Sequence, residues 1–226
     1  SVHIVNSGKL THSANTSSET HKLDLTVAEQ LIVDSTSRID VSGKGYLAGR
    51  TDGNTTVGAA TGYSAGSYGG LGGRGKIIPG DFNGEPNAVY GDYAAPEEWG
   101  SGGGDAGAGG GLVHLEASGL QLDGEILADG VTVDGQAGAS GGGILVDVDV
   151  LGGAGVIRAA GSNGSYRKTG AYYHTYYYGG GGGGGRVAVY ARDFTTFEQT
   201  QVTTPGGEGS HGKAEDGGAG TVYLKD

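Results

Sequence analysis

LVHLEASGLQLDGEILADG, residues 112–130, decides the fold, because ILVDVDVLGGAGVIRAAG, residues 144–161, lies over it without a gap at a shift of 31 residues. Val113 meets Ile144, Leu115 meets Val146, Ala117 meets Val148, Leu120 meets Leu151, and Ile126 meets Ile157. Apolar and polar residues alternate in each copy, as they must when successive side chains point to opposite faces of a strand. Each copy therefore reads as a strand, a corner and a second strand. A third copy, VAVYARDFTTFEQTQVTTPGG, sets Val187, Val189, Ala191 and Phe194 in the matching places, with Val202 in the last after a two-residue insertion. A fourth begins at Val222 and Leu224. Upstream, LDLTVAEQLIVDSTSRIDVSGKG ends in the same pattern, Ile39 to Gly43 against Ile126 to Gly130, and SVHIVNSGKL reads as a further relative.

Copies 31 to 43 residues apart, each too small to bury its inner face alone, predict rungs stacked around one continuous core. The expected fold is all-β, a parallel β-helix with essentially no helix, forming a single domain over residues 1–226. Rung-like segments cover residues 1–43 and 112–226. Between them lies an insertion over residues 44–111, whose Tyr63, Tyr68, Tyr90, Tyr93 and Trp99 predict an ordered cover over one flank. The glycine-rich segments GSGGGDAGAGGG, GQAGASGGG, YYYGGGGGGGR and GGEGSHGKAEDGGAG fall at the same corner of every rung. Ordering seven consecutive glycines, Gly179 to Gly185, costs considerable backbone entropy. The runs are therefore expected to lie side by side in a polyproline-II-like conformation, bonded backbone to backbone. The final TVYLKD stops halfway through a rung, which leads to the expectation of a larger parent chain or self-association by rung stacking.

Composition narrows the function classes. Glycine supplies 52 residues, but with 4 prolines and no G-X-Y period a collagen triple helix is excluded. A formal charge of −11 without a basic stripe argues against nucleic acid. No apolar run approaches the roughly 20 residues that span a bilayer, so no membrane insertion is expected. The absence of Cys and Met leaves nothing to form disulfides and little to oxidise. Together with Asn-x-Ser/Thr sequons at Asn15, Asn54 and Asn163, this leads to an expected extracellular or cell-surface location.

Several stretches are similar to the Gly-rich β-helical repeats of very large secreted or surface-attached proteins of bacteria and some protists. They are IDVSGKGY at residues 39–46, SYGGLGG at 67–73, GSGGG at 100–104, GEILADG at 124–130, GGGGGGGRVAVY at 179–190 and GGAGTVYLKD at 217–226. The resemblance implies a parallel β-helix with a surface or adhesin-like role, and it carries no catalytic residues across. The glycine runs alone also resemble the polyglycine layers of phage tail adhesins.

The chemistry-bearing residues form two groups. In AYYHTYYYGGGGGGGR, residues 171–186, Tyr172, Tyr173, His174, Tyr176, Tyr177 and Tyr178 abut the glycine run. Tyrosines either seal bare backbone or stack on sugar faces and protein partners, burying much area with few rotors. These six residues are the candidate ligand-binding set, for a carbohydrate or cell-surface ligand. On the outward side of the aligned strands, Glu116 lies over Asp147, and Ser118 over Asp149. Rungs about 4.8 Å apart bring such carboxylates into repulsion unless a cation intervenes. Glu116, Asp147 and Asp149 are thus the candidate Ca²⁺ ligands, with Arg192 the alternative neutraliser of Asp149; no cofactor is otherwise required.

Catalytic readings weigh less. GxSxG occurs at residues 62–66 and 138–142, without the helix that a nucleophile elbow needs after its serine. A polysaccharide lyase would draw its base or cation from Arg158, Arg167, Lys168 and Arg192. No groove of carboxylates plus base is evident in the pattern. The expected function is a non-catalytic extracellular module, structural or adhesive, self-assembling into fibres or presenting a glycan-binding adhesin tip.

Overall fold

The computed structural model describes residues 1–105 and 107–226, and Ala106, inside one of the glycine-rich segments, lies outside the described residues. In chain order the strands are β1 (Val2–Ile4), β2 (Lys9–Leu10), β3 (Leu23–Val33), β4 (Arg38–Asp40), β5 (Gly75–Ile78), β6 (Phe82–Asn83), β7 (Leu112–Leu122) and β8 (Glu125–Leu127). There follow β9 (Gly143–Gly153), β10 (Val156–Arg158), β11 (Tyr166–Thr169), β12 (Thr175–Tyr178), β13 (Arg186–Phe197), β14 (Val202–Thr203) and β15 (Thr221–Lys225). Three single 3-10 turns are the only helical elements among the described residues.

Two of the three sheets are parallel. One has the order β1-β3-β7-β9-β13-β15 and the other β14-β10-β8-β4-β2, so the chain alternates between them as it advances. The 31-residue shift is the register of the first sheet: Val113 pairs Ile144, Leu115 pairs Val146 and Leu120 pairs Leu151. In the second, Ile39, Ile126, Ile157 and Val202 form one row. All of these residues are buried in one cluster shared by both sheets. The N-terminal relative joins both parallel sheets, with Val2 opposite Leu31 and Leu10 opposite Ile39.

One residue of the third copy differs from expectation. A register shift between Asp193 and Thr196 lets the chain slip, so that Phe197, 5% exposed, enters the core while Phe194 is only partly covered. Alternation cannot locate such a bulge, because it inserts a residue without changing composition.

The glycine segments bond to the ends of the strands of both parallel sheets. The N–H of the glycine before β7, β9, β13 and β15 bonds a carbonyl just after β4, β8, β10 and β14: Gly111 to Val41, Gly142 to Ala128, Gly185 to Ala159 and Gly220 to Thr204. Within Gly179–Gly185, partners recur every three residues. Gly180 and Gly183 donate to Tyr63 and Gly66, Gly181 and Gly184 to Glu215 and Gly218, and Gly179, Gly182 and Gly185 to Ser165, Ser162 and Ala159. The carbonyls face three further segments, accepting from Gly138 and Gly141, from Gly73 and Gly70, and from Ser210 and Gly207. Three residues per turn is the repeat of a polyproline-II helix. Six such backbones pack around the run, and every one of its seven N–H groups is bonded.

No side chain fits between backbones this close. A Cβ on Gly183 would stand 2.0 Å from the Gly70 carbonyl oxygen, and one on Gly182 2.0 Å from that of Ala139. Gly119, on the sheet, has only ordinary contacts at 3.8 Å or beyond. Gly183→Ala is expected to cost on the order of 3–5 kcal/mol or to prevent folding, because the clash falls on backbone that cannot relax. Gly119→Ala is expected to stay within about 1 kcal/mol of the parent. Thermal and urea denaturation of the two variants checks the contrast.

Candidate functional site

The tyrosine-rich stretch forms an antiparallel hairpin. Strand β11 pairs β12 with Tyr166 opposite Tyr178, Arg167 opposite Tyr177, and Lys168 opposite Tyr176. The turn between them needs a positive φ of 92° at Gly170, whose carbonyl bonds the His174 ring nitrogen Nδ1 at 2.9 Å. The far side of β12 pairs β5, giving a four-stranded antiparallel sheet, β11-β12-β5-β6. Residues 44–111 are thus more than a cover. They supply two strands of this sheet, and residues 63–66 and 70–73 pack around the glycine run.

Strand alternation divides the six aromatic residues that sit together in sequence. Cross-strand partners share a face. One face carries Tyr166, Lys168, Tyr176 and Tyr178; the Tyr166 ring lies 6.3 Å from Tyr176, stacked, and 5.3 Å from Tyr178. The other carries Arg167 and Tyr177, packed on Tyr63. The Tyr63 and Tyr177 rings are 5.0 Å apart, Arg167 lies over Tyr177 at 4.8 Å, and its Nη2 donates to the Tyr63 hydroxyl. Burial raises the Tyr63 pKa, and desolvation followed by the neighbouring Tyr178 and Tyr176 raises that of Tyr166. Tyr172 and Tyr173 occupy the hairpin tip, 92% and 94% exposed. They cannot seal the glycine backbone, whereas Tyr177 is held in place.

Two aromatic neighbours escape the sequence pattern. The His211 ring lies 4.9 Å from Tyr166 and 6.2 Å from Tyr178. A cleft beside them is lined by Asp134, Asn163, Ser165, Tyr166, Glu208 and His211. Tyr166 stands outside the run AYYHTYYY, and His211 is a lone ring in a glycine segment, so nothing in sequence joins them.

The acidic ladder forms as aligned: Glu116 pairs Asp147, and Tyr190 follows on β13. Arg192 lies 3.3 Å from Asp149, with side chains 85% and 52% exposed. An exposed pair of this kind is worth about 0–1 kcal/mol. Among the described residues no group of three or more His, Asp or Glu is arranged to hold a metal ion.

The other chemistry-bearing residues are dispersed. Arg158 forks onto Asp129, donating from Nη2 at 2.7 Å, and this bond raises its pKa. Arg167 is engaged with Tyr63, while Lys168 lies 5.8 Å above the Tyr176 ring. Ser64 and Ser140, the serines of the two GxSxG matches, are fully buried among glycine backbones. Ser140 Oγ accepts from the Ser101 N–H at 2.8 Å. Burial raises the Glu98 pKa, and the Tyr46 hydroxyl donates to this carboxylate at 2.7 Å. Asn15 is buried, with its side-chain oxygen accepting from the His21 N–H, so this sequon is closed in the folded chain.

No family model, characterised protein or solved structure matches this chain. Removing the Tyr177 ring strips the Tyr63–Arg167 cluster of one side, so Tyr177→Ala is expected to cost about 2–4 kcal/mol. The double variant Tyr172→Ala with Tyr173→Ala is expected to melt within about 2 °C of the parent. Differential scanning calorimetry separates the two outcomes.

Proposed function

We propose that this chain is a non-catalytic, extracellular surface module built as a parallel β-helix, in which the glycine layer serves as rigid backing and the tyrosine hairpin as an adhesive face. The alternation of the chain between two parallel sheets around one core supports the β-helix reading. The single observation that carries the functional reading is the pair Tyr172 and Tyr173, 92% and 94% exposed on a hairpin anchored to a sheet. Large exposed rings on a rigid support cost little side-chain entropy on binding and are favoured at contact surfaces. A carbohydrate or another cell-surface ligand is the partner of this reading, and no cofactor is required.

The lyase alternative is weaker because its four candidate cationic residues are spread over β10, β11 and β13 and are engaged with Asp129, Tyr63, Tyr176 and Asp149. Net charge of −11 disfavours a nucleic-acid partner. No helix of the described residues is long and apolar enough to cross a membrane.

A structural role has its own support. Strands β1 and β15 are the open edges of the six-stranded sheet, and unpaired parallel edges accept further strands. Rungs of a parent chain or of a second copy would pair there, giving filaments in the second case. Sedimentation of the purified chain, with and without Ca²⁺, followed by electron microscopy of any pellet, tests this. Filaments would establish the structural role, whereas a stable monomer that binds target cells would establish the display role. A monomer that binds no cell or glycan surface would overturn both.

A further inference from the structure

We propose that the cleft between the β11–β12 hairpin and the 208–211 turn binds a neutral or amino sugar, with Tyr166 and His211 stacking on its ring and Asp134, Asn163 and Glu208 bonding its polar rim. The proposal rests on the adhesive reading above and names a location distinct from the exposed tip. A pyranose presents an apolar face of C–H groups and an edge of hydroxyls. The cleft presents the complement: two rings 4.9 Å apart and tilted by 54°, beside two carboxylates and an amide. Small-molecule sites commonly combine apolar walls with a few fixed polar groups.

The walls are held before any ligand arrives. His211 sits at a φ of 52°, a left-handed conformation unusual for a residue with a Cβ, and its Nδ1 lies 3.0 Å from Ser210 Oγ. The Ser210 N–H donates to the Gly179 carbonyl, and the Gly164 N–H donates to that of Glu208, at 2.8 Å, which ties both rims of the cleft to the glycine bundle. Across the cleft the Glu208 N–H donates to Asn163 Oδ1 at 2.8 Å, while Ser165 Oγ donates to Asp134 Oδ1 at 3.2 Å. The His211, Asn163 and Asp134 side chains, held this way, lose little entropy on binding.

Charge selects the sugar class. Asp134 and Glu208 line the cleft, while Lys168, on the Tyr166 face, lies over Tyr176, and Arg167 lies over Tyr177 on the opposite face. A uronate or sialate would place like charge against like. Hydroxyls can donate to the carboxylates, and an amino sugar adds an ammonium group that pairs with them.

The test is isothermal titration of the full chain with three oligosaccharide probes: cello-oligosaccharides, chitosan oligomers and oligogalacturonates. The expected result is binding of a neutral or amino probe, no binding of oligogalacturonate, and at least a tenfold loss in Glu208→Gln and in His211→Gly. Glycine relaxes the strained backbone at 211, so that variant keeps its fold while losing the ring, and its melting temperature checks this. The tip variant Tyr172→Ala with Tyr173→Ala is titrated alongside to locate the site, and the exposed Val57→Thr, 81% exposed in the parent, is the control expected to bind like the parent. Binding lost at the tip but retained in the two cleft variants would overturn the cleft and leave the adhesive reading standing. A preference for oligogalacturonate would overturn the charge argument. Failure of the parent chain to bind any of the three probes would overturn the cleft; whether it still binds cells then decides the adhesive reading separately.

Discussion

The hydrogen bonding of Gly179–Gly185 to six surrounding backbones constrains everything else in the molecule. Each peptide group finds its partners in a neighbouring segment rather than in its own, so the run is ordered only when all six neighbours are present. A single backbone bond contributes about 0.5–1.5 kcal/mol net, and fixing one residue's backbone costs about 1–2 kcal/mol. These magnitudes are close, so the layer has little stability of its own. The buried rows of Val, Ile and Leu between the two parallel sheets supply the excess that holds it. The carbonyls just after β4, β8, β10 and β14 bond the glycines before β7, β9, β13 and β15, which couples layer and core at four successive levels.

That coupling explains why the tyrosine hairpin and the cleft beside it lie where they do. Residues 63–66 and 70–73 of the insertion must pack around the glycine run, and this brings β5 alongside β12. The hairpin is thereby gripped on one edge while its tip projects into solvent. The 207–210 segment bonds the same run from another direction, which sets His211 against Tyr166. A close-packed backbone layer thus serves as the fixed reference from which three remote pieces of chain are brought together. The absence of side chains is what permits the approach, since a Cβ on most glycines of the run would fall about 2 Å from a carbonyl oxygen.

The sequence alone determined the stacked parallel strands, because alternation within copies 31 to 43 residues apart leaves one inward face and one register that aligns the buried Val, Ile and Leu. It also determined that glycine must occupy the return corner and that the runs must bond to one another, since an unbonded run has nothing to offset its entropy. Tertiary structure decided which segments surround Gly179–Gly185, for a residue without a side chain carries no information about its neighbour. It likewise decided that Phe197 rather than Phe194 fills the core, that Tyr177 faces Tyr63 while Tyr176 and Tyr178 face Tyr166, and that His211 completes the aromatic face. In each case the deciding contact joins residues distant in the chain, and its geometry is set by backbone packing rather than by any local pattern of side chains.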